Sequence, residues 1–193
     1  MRLGKISIFT LMLMFSACGD GKGDATTPDT ETNTTQAPLV IDGYTLPPMP
    51  DKALNDSTLL GIDSNDNGVR DDVEIWIYTT YEKPIERAVF MQSAKAYQIV
   101  IEEPEEALGN LHYIHDAVDC ISYYKRWADL FGEELLIEKY RNIEEEISPI
   151  QFNTKERFLS YQKYNHTLSG GVYSSAKPED KKSKCDFNIL TFK

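Results

Sequence analysis

Hydrophobic and polar positions divide the chain into four stretches of different character. From Ile6 to Ala17 only Ser7, Thr10 and Ser16 interrupt an uncharged apolar run. From Gly19 to Ala37 the sequence GDGKGDATTPDTETNTTQA contains no aromatic and no large aliphatic residue. Leu39–Ile62 carries short apolar pieces between Asp42-Gly43, Pro47-Pro48, Pro50 and Asn55-Asp56, which reads as extended, surface-wrapping chain. Beyond Asp71 the spacing becomes helical.

The helical part resolves into several elements. Asp71 and Asp72 open a short helix running to about Tyr81, the acids lying where the positive end of the helix dipole favours them. Pro84 suits the first turn of a second helix that presents Ile85, Val89, Met91, Ala96, Ile99 and Val100 and is broken or restarted at Pro104. One or two helices are predicted over Glu105–Phe131, through Leu108, Leu111, Ile114, Val118, Ile121, Trp127 and Leu130, with Gly132 as a stop. Glu133–Ile147, presenting Leu136, Tyr140, Ile143 and Ile147, is closed by Ser148-Pro149. Asn153 or Thr154 caps a last helix, Lys155–Leu168, which Ser169-Gly170-Gly171 ends. The expectation is a single all-α domain over residues 39–193, preceded by its extended Pro-rich segment.

The apolar run at the start changes the picture of where that domain works. Arg2 and Lys5 precede it, and it is a dozen residues long, whereas about 20 are needed to span a bilayer. It therefore reads as an export signal over residues 1–17. The segment Phe15-Ser16-Ala17-Cys18 resembles the lipobox of bacterial lipoproteins, whose cysteine is acylated before cleavage in front of it. That resemblance implies a mature chain starting at a lipid-bearing Cys18, with several acyl chains, which together anchor stably where one would be marginal. An ordinary secretory signal with a chance cysteine is the alternative. In a host with two membranes, Gly19 instead of the family's Asp retention signal implies the outer membrane, facing the periplasm or displayed at the surface. Residues 18–38 then form a flexible tether, too polar to bury the surface that ordering it would require.

Charge and cysteines narrow the class further. The net charge is −11, and loss of Arg2 and Lys5 with the signal takes it to −13. An acidic chain repels phosphate backbones, which argues against nucleic acid as a partner. Of three cysteines, Cys18 is the one the lipobox resemblance assigns to lipid. Cys120 and Cys185 remain as an even pair in an oxidising compartment, and a disulfide between them is expected over two free thiols.

One motif carries chemistry. The segment Asp63-Ser64-Asn65-Asp66-Asn67-Gly68-Val69-Arg70-Asp71-Asp72-Val73-Glu74 fits the pattern D-x-[DN]-x-[DN]-G-x₅-E at every specified position. A hard cation of calcium's size takes six to eight oxygens, and a tightly coiled loop aims alternate side chains inward to supply them. The stretch resembles an EF-hand loop and, more closely, the loops of dockerin and thrombospondin type 3 repeats, which lack a regular entering helix. The resemblance implies Asp63, Asn65, Asn67 and the Val69 carbonyl as ligands. Asp71 would bind directly or through water, and Glu74 with both oxygens. Arg70 departs from paired EF-hands, which place an aliphatic there, and the loop is single. A modest affinity on the order of 10⁻⁵ to 10⁻³ M is expected, as in extracellular modules. Calcium would then be structural, fixing the extended segment to the helical body. The competing account is an Asp/Asn/Gly turn that merely caps the helix at Asp71.

Other constellations are weaker. His112, His115, Asp116 and Asp119 fall on one face of a helix at spacings that zinc or iron enzymes use, with His166 as a partner by elimination. The aromatic and amide-rich segment Tyr161–Tyr173 is compatible with a ligand rim or with a plain helix end. No GxSxG, phosphate-binding loop, CxxC or dinucleotide fingerprint occurs. The sequence thus points to a non-enzymatic envelope lipoprotein, a calcium-braced module contacting the membrane through lipid and another envelope protein through its surface. The alternatives are a periplasmic metal-dependent hydrolase using His112, His115 and Asp116, and an exclusion or immunity lipoprotein.

Overall fold

The computed structural model describes residues 37–127 and 143–188. The signal, Cys18 and the tether to residue 36 lie outside them, as do the Gly132 stop and the Glu133 start of a helix. What is described is an all-α domain with one minimal hairpin. The helices are α1 (Lys52–Asp56), α2 (Asp71–Thr80), α3 (Pro84–Glu102), α4 (Ala107–Ser122), α5 (Ile143–Gln151) and α6 (Lys155–Thr167). Among the described residues no helix is long and apolar enough to cross a membrane.

The core is built around α3, which packs against α2, α4, α5 and α6. Its Val89, Phe90, Ala94, Tyr97, Val100 and Ile101 are all buried. Tyr81 stacks on Phe90 at 4.0 Å between ring centres, and Trp76 meets both rings edge-on. At the other end Tyr97 stands edge-on to Phe152 and Tyr161, which stack on each other at 4.2 Å. Aromatic pairs of this kind contribute beyond the area they bury.

Helix starts follow the sequence signals. Pro84 occupies the first turn of α3, and the Thr154 hydroxyl accepts the Arg157 amide at 3.2 Å, which makes Thr154 the cap of α6. Asn153 instead accepts from the Arg157 guanidinium at 2.5 Å. Helix ends are less faithful to the sequence. The helix expected to close at Ser148-Pro149 runs on to Gln151, with Pro149 inside it. Ile147 and Gln151 are fully buried on either side of the proline, and the Arg70 guanidinium grips the Ile150 and Gln151 carbonyls at 2.6 and 3.2 Å. Tertiary contacts there outweigh the missing amide.

The Pro-rich stretch before Ile62 contains more regular structure than its composition suggests. Strands β1 (Val40–Ile41) and β2 (Tyr44–Thr45) pair antiparallel across Asp42 and Gly43, with φ of 50° and 80°. Two left-handed residues in succession define the turn whose twist matches a hairpin, and Asp-Gly is a favoured pair for it. Asp51 caps α1 by accepting the Leu54 amide at 2.9 Å. A helix of five residues is too short to leave a periodic signature.

This stretch is riveted to α6 by one side chain. Arg157 is fully buried and donates to the carbonyls of Asn55 at 2.5 Å, Thr58 at 3.2 Å and Leu59 at 3.0 Å, and to the Asp56 carboxylate at 3.1 Å. Gly61 (φ +72°) lets the backbone pass between the two buried arginines. A Cβ there would stand 2.2 Å from the Arg70 side chain and 2.8 Å from Arg157 Nη2.

The end of the domain is clipped to α4. Cys120 and Cys185 form the expected disulfide, with Cα atoms 5.0 Å apart. A short 3₁₀ helix, Pro178–Lys184, lies against α4. Lys181 and Asp119 make a buried ion pair there, which the Ser175 hydroxyl and the Ala176 amide join by bonding Asp119. Beyond α4 the helix widens into a π turn, Tyr123–Trp127. Tyr123 and Tyr124 are both buried, with Tyr124 stacked on Phe187 at 6.2 Å.

Candidate metal centre

The loop from Asp63 to Glu74 is coiled by its own side chains. The Asp63 carboxylate accepts the amides of Asn67 at 3.2 Å and Gly68 at 2.8 Å. Asn67 Oδ1 accepts the Val69 amide at 2.8 Å, and Asp71 Oδ1 accepts the Ser64 amide at 2.9 Å. Two residues adopt left-handed backbone, Asp66 at φ 55° and Gly68 at φ 84°. Without those reversals the alternate side chains would not turn toward one side.

Two residues of the loop hold it in place. Val69 is buried in the main core, and Arg70 is buried in its grip on α5. The Arg70 departure from the EF-hand pattern thus has a local cause. The residue that would face a second loop faces the interior of this domain instead.

Glu74 is the focus of the arrangement. It sits on the first turn of α2 and is fully buried. Its Oε2 accepts from Asn67 Nδ2 at 2.8 Å and Asn65 Nδ2 at 3.1 Å, while its Oε1 accepts the Tyr44 hydroxyl at 2.7 Å. Burial, then the hydrogen bond to Glu74, pushes the Tyr44 phenol up to about 12. Tyr44 in turn stacks on Tyr78 at 4.9 Å, and the Arg87 guanidinium lies 5.4 Å over the Tyr78 ring. The hairpin is therefore fastened to α2 through the same carboxylate that would close the cation site. Sequence spacing did not single out Tyr44, which lies 30 residues from its partner.

The donor set fits a hard cation in kind. Asp71 and Glu74 are buried carboxylates that form no ion pair among the described residues, an arrangement that costs several kcal/mol when no positive charge offsets it. Among the described residues, however, no three His, Cys, Asp or Glu side chains gather closely enough to hold a metal by themselves. The remaining oxygens would have to come from Asn65, Asn67 and the Val69 carbonyl. A half-turn of each asparagine amide exchanges its nitrogen and oxygen, so the two amides that now donate to Glu74 carry acceptors of the required type.

The histidine face of α4 is arranged differently. His112 Nδ1 lies 2.9 Å from the Gly109 carbonyl, and His115 stands edge-on to Tyr173 at 6.0 Å. Asp116 pairs with Lys184 at 2.9 Å, and Asp119 is committed to Lys181. The structure thus distributes these four residues among separate partners, and His166 lies in the last turn of α6. Within Tyr161–Tyr173, Tyr161 and Tyr164 are core residues, whereas Val172 is fully exposed.

Comparison of the chain with protein-family models, with curated proteins and with solved structures finds no match.

Proposed function

We propose that this chain is a lipid-anchored envelope lipoprotein whose helical domain is a non-enzymatic binding module braced by a structural calcium ion. The observation that carries the calcium reading is the fully buried Glu74 carboxylate, ringed by Asn65, Asn67 and the hairpin's Tyr44. A calcium ion offsets that charge and draws the asparagine oxygens inward. Because Tyr44 holds the same carboxylate, the ion fastens the hairpin to α2. The lipid reading rests on Phe15-Ser16-Ala17-Cys18 and the polar tether behind it.

Melting the chain in chelator and in calcium tests the brace. A ligand at a hundred times its dissociation constant stabilises by about 2.7 kcal/mol. In a domain of this size each kcal/mol raises Tm by roughly 2–4 °C. Calcium is therefore expected to raise Tm by several degrees, and Glu74→Gln to abolish the response while leaving a folded protein in chelator. An unchanged wild-type melt at saturating calcium overturns the reading and leaves the loop as a helix cap. For the anchor, Cys18→Ala is expected to release the protein from the membrane fraction of its native host. A variant that stays with the membranes sinks the lipid assignment.

A further inference from the structure

A cleft of about 640 Å³ lies beside the loop and uses none of its carboxylates. Its floor is one face of α3, where Pro84, Arg87, Ala88, Met91, Gln92 and Lys95 follow at helical spacings of three and four. The hairpin forms one wall through Ile41 and Tyr44, and the clipped C-terminal segment forms the other through Phe187. Eleven residues of helix rise roughly 16 Å, so the volume corresponds to a long trough, not to a round pocket. The size suits a small ligand, and a mainly apolar lining with a few polar groups is the usual composition of such sites.

The polar groups differ in their commitments. Arg87 donates to the Tyr81 carbonyl at 2.6 Å and to Asp42 at 2.5 Å. Gln92 donates to the Lys184 carbonyl at 2.8 Å and accepts the Asp186 amide at 3.4 Å. Lys95 is exposed and has neither a hydrogen bond nor an ion pair among the described residues. Its stem is packed against the loop, since a Cβ on Gly68 would stand 3.2 Å from Lys95 Cε. Asp186, an exposed residue, lies near enough to feel the Lys95 ammonium without forming an ion pair with it. The trough therefore has an apolar middle at Ala88, Met91, Ile41 and Phe187 and one uncommitted cation at its end.

We propose that this trough binds an elongated amphipathic carboxylate of the fatty-acid type, its head on the Lys95 ammonium and its alkyl chain along Met91, Ala88 and Ile41. The assignment does not depend on the calcium reading. The head gains a charge-assisted contact at a fixed position, and the chain gains the burial that makes apolar surface leave water. A neutral alcohol of equal length shares only the second contribution, and an alkylammonium meets repulsion at Lys95.

Titration of the full chain with decanoate, monitored by calorimetry in chelator and again with calcium, tests the proposal. Saturable one-to-one binding in at least one buffer is expected. Lys95→Met should weaken it at least tenfold, and decanol should bind wild type and Lys95→Met alike. Met91→Glu, which places a charge mid-trough, should weaken decanoate and decanol together. Failure to saturate in either buffer overturns the proposal. So does unchanged decanoate affinity in Lys95→Met, or tighter binding of decylammonium or of a capped apolar peptide.

Discussion

Arg157→Ala is expected to destabilise the domain by about 3–5 kcal/mol, the usual consequence of removing one member of a buried charged network. The guanidinium is fully buried, and its donors reach three backbone carbonyls, Asp56 and Asn153. Truncation leaves those acceptors without partners, each a desolvation loss of about 1–3 kcal/mol. Arg157→Lys is expected to recover little, because an ammonium lacks the planar fork that addresses several carbonyls at and just beyond the end of α1. Burial, with the neighbouring Arg70 next in importance, already lowers the Arg157 guanidinium below its ordinary value, and a lysine ammonium there meets the same burial and the same Arg70. Urea unfolding measures the loss. An unfolding free energy within about 0.5 kcal/mol of wild type, the range of ordinary surface changes, would show that the N-terminal stretch is held by something else.

Removing the Cys120–Cys185 disulfide, by Cys120→Ser with Cys185→Ser or by reduction, is expected to cost about 4 kcal/mol in the chain-entropy description. The bridge closes a separation of 65 residues, and it supports contacts that do not stand alone. Lys181, Ser175 and the Ala176 amide, all from the C-terminal segment, converge on Asp119 of α4. Hydrogen exchange should show residues 175–187 opening first in the reduced protein, with the α3 core protected. Equal protection of both regions before and after reduction would contradict this order.

The same cluster gives a pH dependence of known sign. Burial works against the charged form of Asp119, but the bonds from Lys181, Ser175 and Ala176 outweigh it and hold the carboxyl below its ordinary value. A carboxyl lowered on folding contributes stability that is present above its unfolded value and lost as pH falls through the folded one. The clip should therefore weaken only on strong acidification.

The helical body was legible because α2, α3 and α6 are long and carry local boundary signals. Pro84 and Pro104 stop or start a helix through their own backbone, and Thr154 through its hydroxyl on the amide three residues on, whatever surrounds them. Elements set by distant partners were not legible. Pro149 reads as a terminator until Arg70 is seen to hold the following carbonyls, the first of them 80 residues away. The short α1 and the 3₁₀ helix Pro178–Lys184 lie below the length at which periodicity speaks, and both are stabilised by side chains from elsewhere. Arg70 and Arg157 look like surface residues in a list of charges, yet both are fully buried. The loop was legible as a pattern of oxygens, whereas Tyr44 on Glu74, the contact linking it to the hairpin, left no trace in spacing.

If the chain is anchored through Cys18 as proposed, the hairpin acquires a mechanical meaning. Tension applied upstream of Ala37 enters the fold at Leu39, whose carbonyl is bonded to the Leu46 amide at 2.8 Å. Next along the chain come Asp42 on Arg87 and Tyr44 on Glu74, two side-chain fasteners of the hairpin. A cation in the loop would stiffen the second of these, so that the load is borne by α2 and α3 and does not peel the first strand away from its neighbours.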